Sequence, residues 1–526
     1  MRFPWWSFAM ALWLTALPGC TVSFDFPTFV GVTRWPEVDL GPASPRASLD
    51  FDDGFRIATT PTFMPYWGDD VFTRAEGLGL GDLDDDGDLD AIVSSTGVQS
   101  ERAVVLRNDL VESGTRGPFV DETPGAWGGE TTCTSVVQTA VYAPPLFFVA
   151  PPLAMWRPCA FRQTAPLELS GLTSTEMPIT GAASVVAVGD VTGDGILDVL
   201  LGGEAVAAHW LVSDRDHWRE LTGLPVDLSD LEAASLVDLD GDRILDLVAI
   251  ASTRTSGGHV LHGLGGGAFA ATADTVSLET RAQGARRVGI VDLDGDALTD
   301  LALVDIDSTP NTVTFLWNRS TAAGLAFDET SMQLTNAIGT VDAVTVAPGD
   351  YDDDGLADLA VTSGSDAIVV LQNRGDRTFS ERVFTVRGTN DIHTSAIADV
   401  DLDGDLDVVL CWGPTATPIS RECGVFTNQI DGSDFLEMAL RGPRANAHAV
   451  GARVVVFPAG RLGDFTARPL LERTVTATSS LRTPTTVHVG LPPTGAFDVR
   501  VYWPDGATPT DILGVERGTR LRIVEP

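Results

Sequence analysis

Apolar residues in this chain come in short runs separated by acidic turns. Ser184-Val-Val-Ala-Val188 runs into one such turn and Asp198-Val-Leu-Leu201 leaves it. Runs this short, rich in Val and Leu and bounded by Asp and Gly, predict strands rather than helices. The turn itself is a nine-residue pattern, Asp-x-Asp-x-Asp-Gly-x-x-Asp, which occurs six times. Its fullest forms are Asp82-Leu-Asp-Asp-Asp-Gly-Asp-Leu-Asp90, Asp350-Tyr-Asp-Asp-Asp-Gly-Leu-Ala-Asp358 and Asp399-Val-Asp-Leu-Asp-Gly-Asp-Leu-Asp407. Three are looser: 190–198 has Thr192 at position three, 238–246 has Arg243 at position six, and 292–300 has Ala297 there.

The spacing of the turns predicts the architecture. First positions fall at 82, 190, 238, 292, 350 and 399; the last four steps average about 52 residues and the first, 108, is about twice that. One repeat has therefore lost its motif, between 120 and 170. Seven repeats of roughly 50 residues, each with four short strands, predict an all-β, seven-bladed β-propeller over 46–434. Asn373-Arg-Gly-Asp-Arg-Thr-Phe379 and Gly265-Gly-Gly-Ala-Phe269 fit the outer hairpin of a blade. Phe51 and Phe55-Arg-Ile57 give weak strand signals ahead of the first turn. The degenerate repeat holds the apolar stretch 140–156 with Pro144, Pro145, Pro151 and Pro152, which argue against a membrane helix or a central strand through those points. Two readings of it stand: a buried insertion, or an exposed apolar loop contacting a partner.

The chemistry of the turn is that of a hard cation. Ca²⁺ takes six to eight oxygens at short range, and carboxylates at positions one, three and five of a tight loop converge on one point. Position seven can add a carbonyl, position nine closes the shell, and Gly at six supplies the sharp turn. The candidate ligands are Asp82, Asp84, Asp86, Asp88 and Asp90; Asp190, Thr192, Asp194 and Asp198; Asp238, Asp240, Asp242 and Asp246; Asp292, Asp294, Asp296 and Asp300; Asp350, Asp352, Asp354 and Asp358; and Asp399, Asp401, Asp403 and Asp407. Up to six Ca²⁺ are expected. The strand flanks, and the lack of Glu at position twelve, separate these turns from helix–loop–helix calcium hands. The bland alternative is an acidic turn that only solvates strand ends, and it carries most weight at Asp238 and Asp292.

Charge and composition narrow the function. The chain has 526 residues and a net charge of −39, with 73 acids against 34 bases. Every one of those bases is Arg, which excludes Schiff-base lysine chemistry. A surface this acidic makes nucleic acid a poor partner. The seven His form no H-E-x-x-H or other tight ligand pair, and no G-x-S-x-G elbow occurs. Arg374-Gly-Asp376 is an integrin-recognition tripeptide by letters but sits where the repeat needs a turn.

The N-terminus predicts export. Arg2 precedes an apolar stretch from Trp5 to Leu17, too short to span a bilayer, then Leu17-Pro-Gly-Cys20. That ending resembles a bacterial lipobox, so residues 1–20 are expected to be a lipoprotein signal peptide with lipid on Cys20; ordinary cleavage nearby is the alternative. By the same resemblance Thr21 implies sorting to the outer membrane or cell surface, and residues 21–45 read as a tether. Four cysteines remain, and export favours two disulfides, Cys133 with Cys159 and Cys411 with Cys423. Zinc is the weaker reading.

From 435 the chain reads as a second β domain. Arg453-Val-Val-Val-Phe457, Thr486-Val-His-Val489, Asp498-Val-Arg-Val-Tyr502 and Arg520-Leu-Arg-Ile-Val524 are short strand-like runs. The repeats resemble the FG-GAP/VCBS class of calcium-loop propellers, seen also in integrin α-chain heads. Phe435 to Gly442, Asn446-Ala-His-Ala-Val-Gly-Ala-Arg-Val454, Val487 to Leu491 and Val501-Tyr-Trp-Pro-Asp-Gly506 resemble the ASPIC/UnbV domain. That domain follows such propellers in bacterial proteins and in the animal cartilage acidic proteins. The resemblance implies a propeller with a small β-sandwich-like domain over 435–526. A calcium-binding adhesion or binding scaffold for an extracellular protein or glycan is the expected function. The alternative is a polysaccharide-active enzyme with its site at the propeller axis.

Overall fold

The computed structural model describes strands Val32–Arg34 and Ile57–Thr59 and, from 72 onward, all but a number of internal segments, the longest being 122–137, 172–184 and 336–344. Among the described residues the chain is β throughout, save a one-turn helix at Leu110–Ser113. Each acidic turn closes an antiparallel hairpin. Position nine is the first residue of the departing strand and pairs with the last residue of the arriving one: Gly81 with Asp90, Gly189 with Asp198, Val237 with Asp246, Val291 with Asp300, Gly349 with Asp358 and Ala398 with Asp407.

Each hairpin extends into an antiparallel sheet, and seven sheets follow one another among the described residues, six of four strands and the third of five. Sheets 1 to 7 span 72–121, 138–171, 185–221, 231–277, 285–333, 345–385 and 391–428. The first strand of each sheet touches that of the next, and the first strand of sheet 7 touches that of sheet 1, so the sheets form a closed, propeller-like ring. Sheet 7 takes its fourth strand from Ile57–Thr59, which pairs with Phe426–Asn428 and staples the start of the chain to its last repeat. The apolar cores lie between neighbours: Val288, Ile290 and Leu303 of sheet 5 pack with Val248 and Val260 of sheet 4, and Leu78 and Val93 of sheet 1 with Val409 and Ala396 of sheet 7. Both faces of the inner strands are therefore apolar, which is why they read as runs rather than alternations.

Sheet 2 is the repeat without a motif. The stretch 140–156 is neither an insertion nor a loop at its described residues: Gln138–Tyr142 and Leu146–Ala150 are two paired strands of that sheet. Its four prolines lie outside the described residues, between or beyond those strands. The turn 265–269 also differs from expectation. Gly263–Gly265 and Ala268–Phe269 form a separate two-stranded hairpin rather than the outer pair of sheet 4. Gly263 admits no side chain, since a Cβ there would lie 2.3 Å from the Leu245 carbonyl oxygen.

The C-terminal residues form two four-stranded sheets over one core. Phe435–Arg441, Val487–Gly490 and Thr519–Val524 make the first, Arg453–Pro458, Leu471–Thr474, Phe497–Tyr502 and Thr510–Val515 the second. Leu436, Met438, Val454, Val499, Trp503 and Ile523 are buried between them. Two family blocks have local roles. Asn446 bonds both backbone groups of Val450, and the Trp503 indole N–H donates to Thr510 Oγ1 at 3.0 Å. The first sheet's edge is Val32–Arg34, paired with Leu521–Ile523, so the stretch 21–45 is not wholly a tether. Ala477–Thr478 reaches back to pair with Ala187–Val188 at the inner edge of sheet 3.

In sheet 7, Cys411 and Cys423 face each other across neighbouring strands and are disulfide-bonded. Cys20, Cys133 and the side chain of Cys159 lie outside the described residues.

Candidate metal centres

The six turns share one hydrogen-bonded frame. The position-nine carboxylate accepts the position-two N–H through one oxygen: Asp90 from Leu83 (2.8 Å), Asp198 from Val191 (3.1 Å), Asp246 from Leu239 (2.8 Å), Asp300 from Leu293 (2.9 Å), Asp358 from Tyr351 (3.1 Å) and Asp407 from Val400 (3.2 Å). Its other oxygen accepts an N–H from the end of its sheet's third strand or just beyond: Asn108, Ser213, Gly263, Asn318, Asn373 and Asn428 at 2.6–3.0 Å. Position one accepts N–H groups of positions four to six, as Asp190 does from Gly193, Asp194 and Gly195. Position five accepts the N–H of position seven in every turn. Arg243 and Ala297 hold φ of 72° and 68° where Gly is usual, so the looser turns keep the same path. That path costs a side-chain-bearing residue about 1–2 kcal/mol.

Carboxylate oxygens converge inside this frame. Ligand atoms of Asp82, Asp84 and Asp86 lie within 4.8 Å of one another, as do those of Asp238, Asp240 and Asp246, of Asp292, Asp294 and Asp300, and of Asp350, Asp352 and Asp358. Of these, Asp294 Oδ1 and Asp352 Oδ1 are buried with no hydrogen bond, as are both oxygens of Asp405 in the turn at Asp399, a residue 2% exposed. Orphaned anionic oxygens facing one another are unfavourable without a cation, so the donor set fits a hard metal ion.

The turns differ in detail. Asp88 Oδ2 accepts the Val111 N–H at 3.0 Å, so part of its carboxylate holds the Leu110–Ser113 helix. Thr192 donates to Asp190 Oδ1 at 3.3 Å. His262 Nε2 lies 3.0 Å from Asp240 Oδ2 and with Asp242 makes a further set able to hold a metal. No spacing in the chain marks His262, which lies just after the sheet's third strand, His259–Leu261. At 292–300 arginines already occupy the carboxylates: Arg377 is 2.8 Å from Asp294 and Arg319 2.6 Å from Asp296. This is the least open of the six.

Burial pushes the position-nine carboxyls up, Asp198 to about 7 and Asp246 and Asp300 to about 8, against the backbone N–H bonds that oppose the shift. Their ordinary unfolded value is about 3.9. Protonation therefore favours the metal-free fold. That contribution is complete below about pH 4 and lost as pH rises through 7–8. With chelator present, the melting temperature should be higher at pH 5.5 than at pH 8.5. With calcium bound the order should invert, because the ligands must ionise. A metal-free protein that melts higher at pH 8.5 would refute the assignment.

The C-terminal domain covers these turns with arginines. Arg441 lies 3.1 Å from Asp82, and Arg520 pairs with both Asp399 and Glu437, at 2.7 Å from the latter. The Arg453 charge acts on Asp238, and the charges of Asp292 and Asp350 act on Arg473. His488 Nε2 donates to the Gly404 carbonyl at 2.7 Å. Gly490 sits so close that a Cβ would lie 1.8 Å from Asp350 Oδ2. Position one of five turns is thus under the field of a guanidinium from the second domain.

Comparison with known families agrees with this geometry. The FG-GAP-like repeat matches residues 238–303 and 350–410, and the ASPIC and UnbV family matches 442–526. The chain carries FG-GAP-like repeats and a C-terminal ASPIC/UnbV domain. The matched FG-GAP segments contain four of the six acidic turns, at 238, 292, 350 and 399. No curated protein matches the chain. Among solved structures it is similar to BBS1N in complex with ARL6DN, at 13% identity over 72% of this chain and 98% of that one, TM-score 0.41. It is also similar to Saccharomyces cerevisiae Sqt1 (11%, 72% and 91%, 0.44) and to YCF48 bound to D1 peptide (9%, 73% and 99%, 0.42).

Proposed function

We propose that this FG-GAP protein is a calcium-stabilised, seven-bladed propeller, exported and anchored through lipid on Cys20, that serves as a binding or adhesion scaffold for an extracellular protein or glycan. The observation that carries this reading is the repeated frame. It holds the carboxylates of positions one, five and nine of each turn by backbone N–H groups and leaves buried oxygens of positions three and seven without hydrogen bonds at Asp294, Asp352 and Asp405. Calcium would be held by positions one, three, five and nine, and would supply charge neutralisation and rigidity. Six ions would bring the formal charge from −39 to −27. Because the ASPIC/UnbV domain lies over the turns, the reading places the partner on other surfaces of the ring or on that domain. An acidic protein favours neutral or cationic partners.

The enzyme reading would use the cavity under the ASPIC/UnbV domain, which is lined by Asp399, Glu437, Arg473 and His488. At about 100 Å³ it is well below the roughly 300–1,000 Å³ of ligand pockets and does not hold a polysaccharide segment. We therefore favour binding. The anchor is tested by Cys20→Ser, which should move the protein from the membrane fraction to the soluble fraction; retention in the membrane would sink the lipid assignment.

A further inference from the structure

The six turns are joined in series by hydrogen bonds that leave one sheet and end on the turn of its neighbour. Asn373 is the pattern. Its backbone N–H holds Asp358 of its own sheet at 2.6 Å, and its side-chain Nδ2 donates to the Leu293 carbonyl of the preceding sheet's turn at 2.7 Å. Leu293 is position two there, and its own N–H holds Asp300. One residue thus ties the position-nine carboxylate of its own turn to the residue whose N–H holds the position-nine carboxylate of the neighbouring turn.

The same joint recurs around the ring. Asn428 donates to the Tyr351 carbonyl (2.9 Å), Asn318 to that of Leu239 (2.7 Å) and Asn108 to that of Val400 (2.9 Å). The last of these crosses the ring closure between sheets 1 and 7. Sheet 4 has Gly263 in place of the Asn, and there the extra hairpin substitutes: the Gly267 N–H donates to the Val191 carbonyl at 2.8 Å. The series runs from the turn at Asp190 through those at Asp238, Asp292, Asp350 and Asp399 to the one at Asp82.

We propose that these asparagines are positioning residues that couple the metal-binding turns, so that calcium entering one turn preorganises the next and the ring loads cooperatively. The idea rests on the calcium reading above. Without metal, mutual repulsion favours an opened turn. Opening moves the position-two peptide, and the neighbour loses the fixed end of its Asn. Coupling of this kind requires each joint to have two arrangements that both turns bias.

The test is a titration of the stripped full-length chain with Ca²⁺ alone, reading ions bound and steepness. The wild type should bind with a Hill coefficient clearly above one. Asn373→Ala should flatten the curve and weaken the severed turns roughly tenfold. Asn446→Ala, which removes an equally buried amide outside the series, should leave the steepness unchanged. Bound ions with unit steepness in the wild type would overturn the coupling and leave the calcium reading standing, a result that needs no variant to fold. Full steepness in Asn373→Ala, or equal flattening by Asn446→Ala, would also overturn it. No bound ions would overturn both.

Discussion

Arg520→Met should destabilise the protein by about 3–5 kcal/mol and loosen the ASPIC/UnbV domain from the ring. Arg520 is the cation between two buried acids, Asp399 and Glu437, whose side chains are 0% and 2% exposed. It also donates to the Leu402 carbonyl at 3.0 Å and stacks over Phe435. Methionine fills similar volume but leaves both carboxylates without their partner. Burial already pushes Glu437 up to about 7 with Arg520 opposing the shift, so in the variant that group would take up a proton. Adding Glu437→Gln should recover part of the loss. The check is a denaturant melt together with limited proteolysis between the two domains. A variant within about 1 kcal/mol of wild type, the range of surface pairs, would mean the contact contributes little.

The second large effect is at position nine. Asp358→Ala should cost roughly 2–6 kcal/mol whether calcium or chelator is present, because it strips the acceptor from two buried N–H groups at roughly 1–3 kcal/mol each. Those groups belong to Tyr351 and Asn373. Asp352→Asn makes the useful contrast. Asp352 accepts no backbone N–H, only the Gln372 side-chain amide, which an Asn can still meet, so this variant should melt like wild type in chelator and lose stability only when calcium is supplied. If both variants respond to calcium in the same way, the division into frame and ligand positions is wrong.

The residues most legible in the sequence were those that repeat. The six turns, their strand flanks and the spacing of about 50 residues follow from local chemistry that each repeat must satisfy by itself. The strand runs of the second domain and the Cys411–Cys423 pair were readable for the same reason: short-range pattern fixes them. What escaped depends on residues far apart in the chain. The latching asparagines lie 15, 18 or 21 residues after position nine, because strand and turn lengths vary between repeats, so no fixed spacing marks them. The arginines over the turns come from a separate domain, and Arg520 is 121 residues from Asp399. Nothing local distinguishes such an Arg from one in solvent. His262 meets Asp240 from a position 22 residues along the chain, brought there by the pairing of strands Asp246–Ala251 and His259–Leu261. Ile57–Thr59 and Val32–Arg34 are three-residue strands that exist through their partners, and so carry almost no periodic signal.

The account stands on the turns holding metal, and a direct ion count tests that claim. The full-length protein would be equilibrated with calcium, freed of unbound ion and analysed for metal per chain, with a thermal melt in calcium and in chelator alongside. The account predicts about four to six calcium ions per chain, with the turn at Asp292 the weakest, and a large upward shift of the melt. No bound metal and an unshifted melt would contradict it: the acidic turns would then serve only as hydrogen-bonded hairpin frames between sheets.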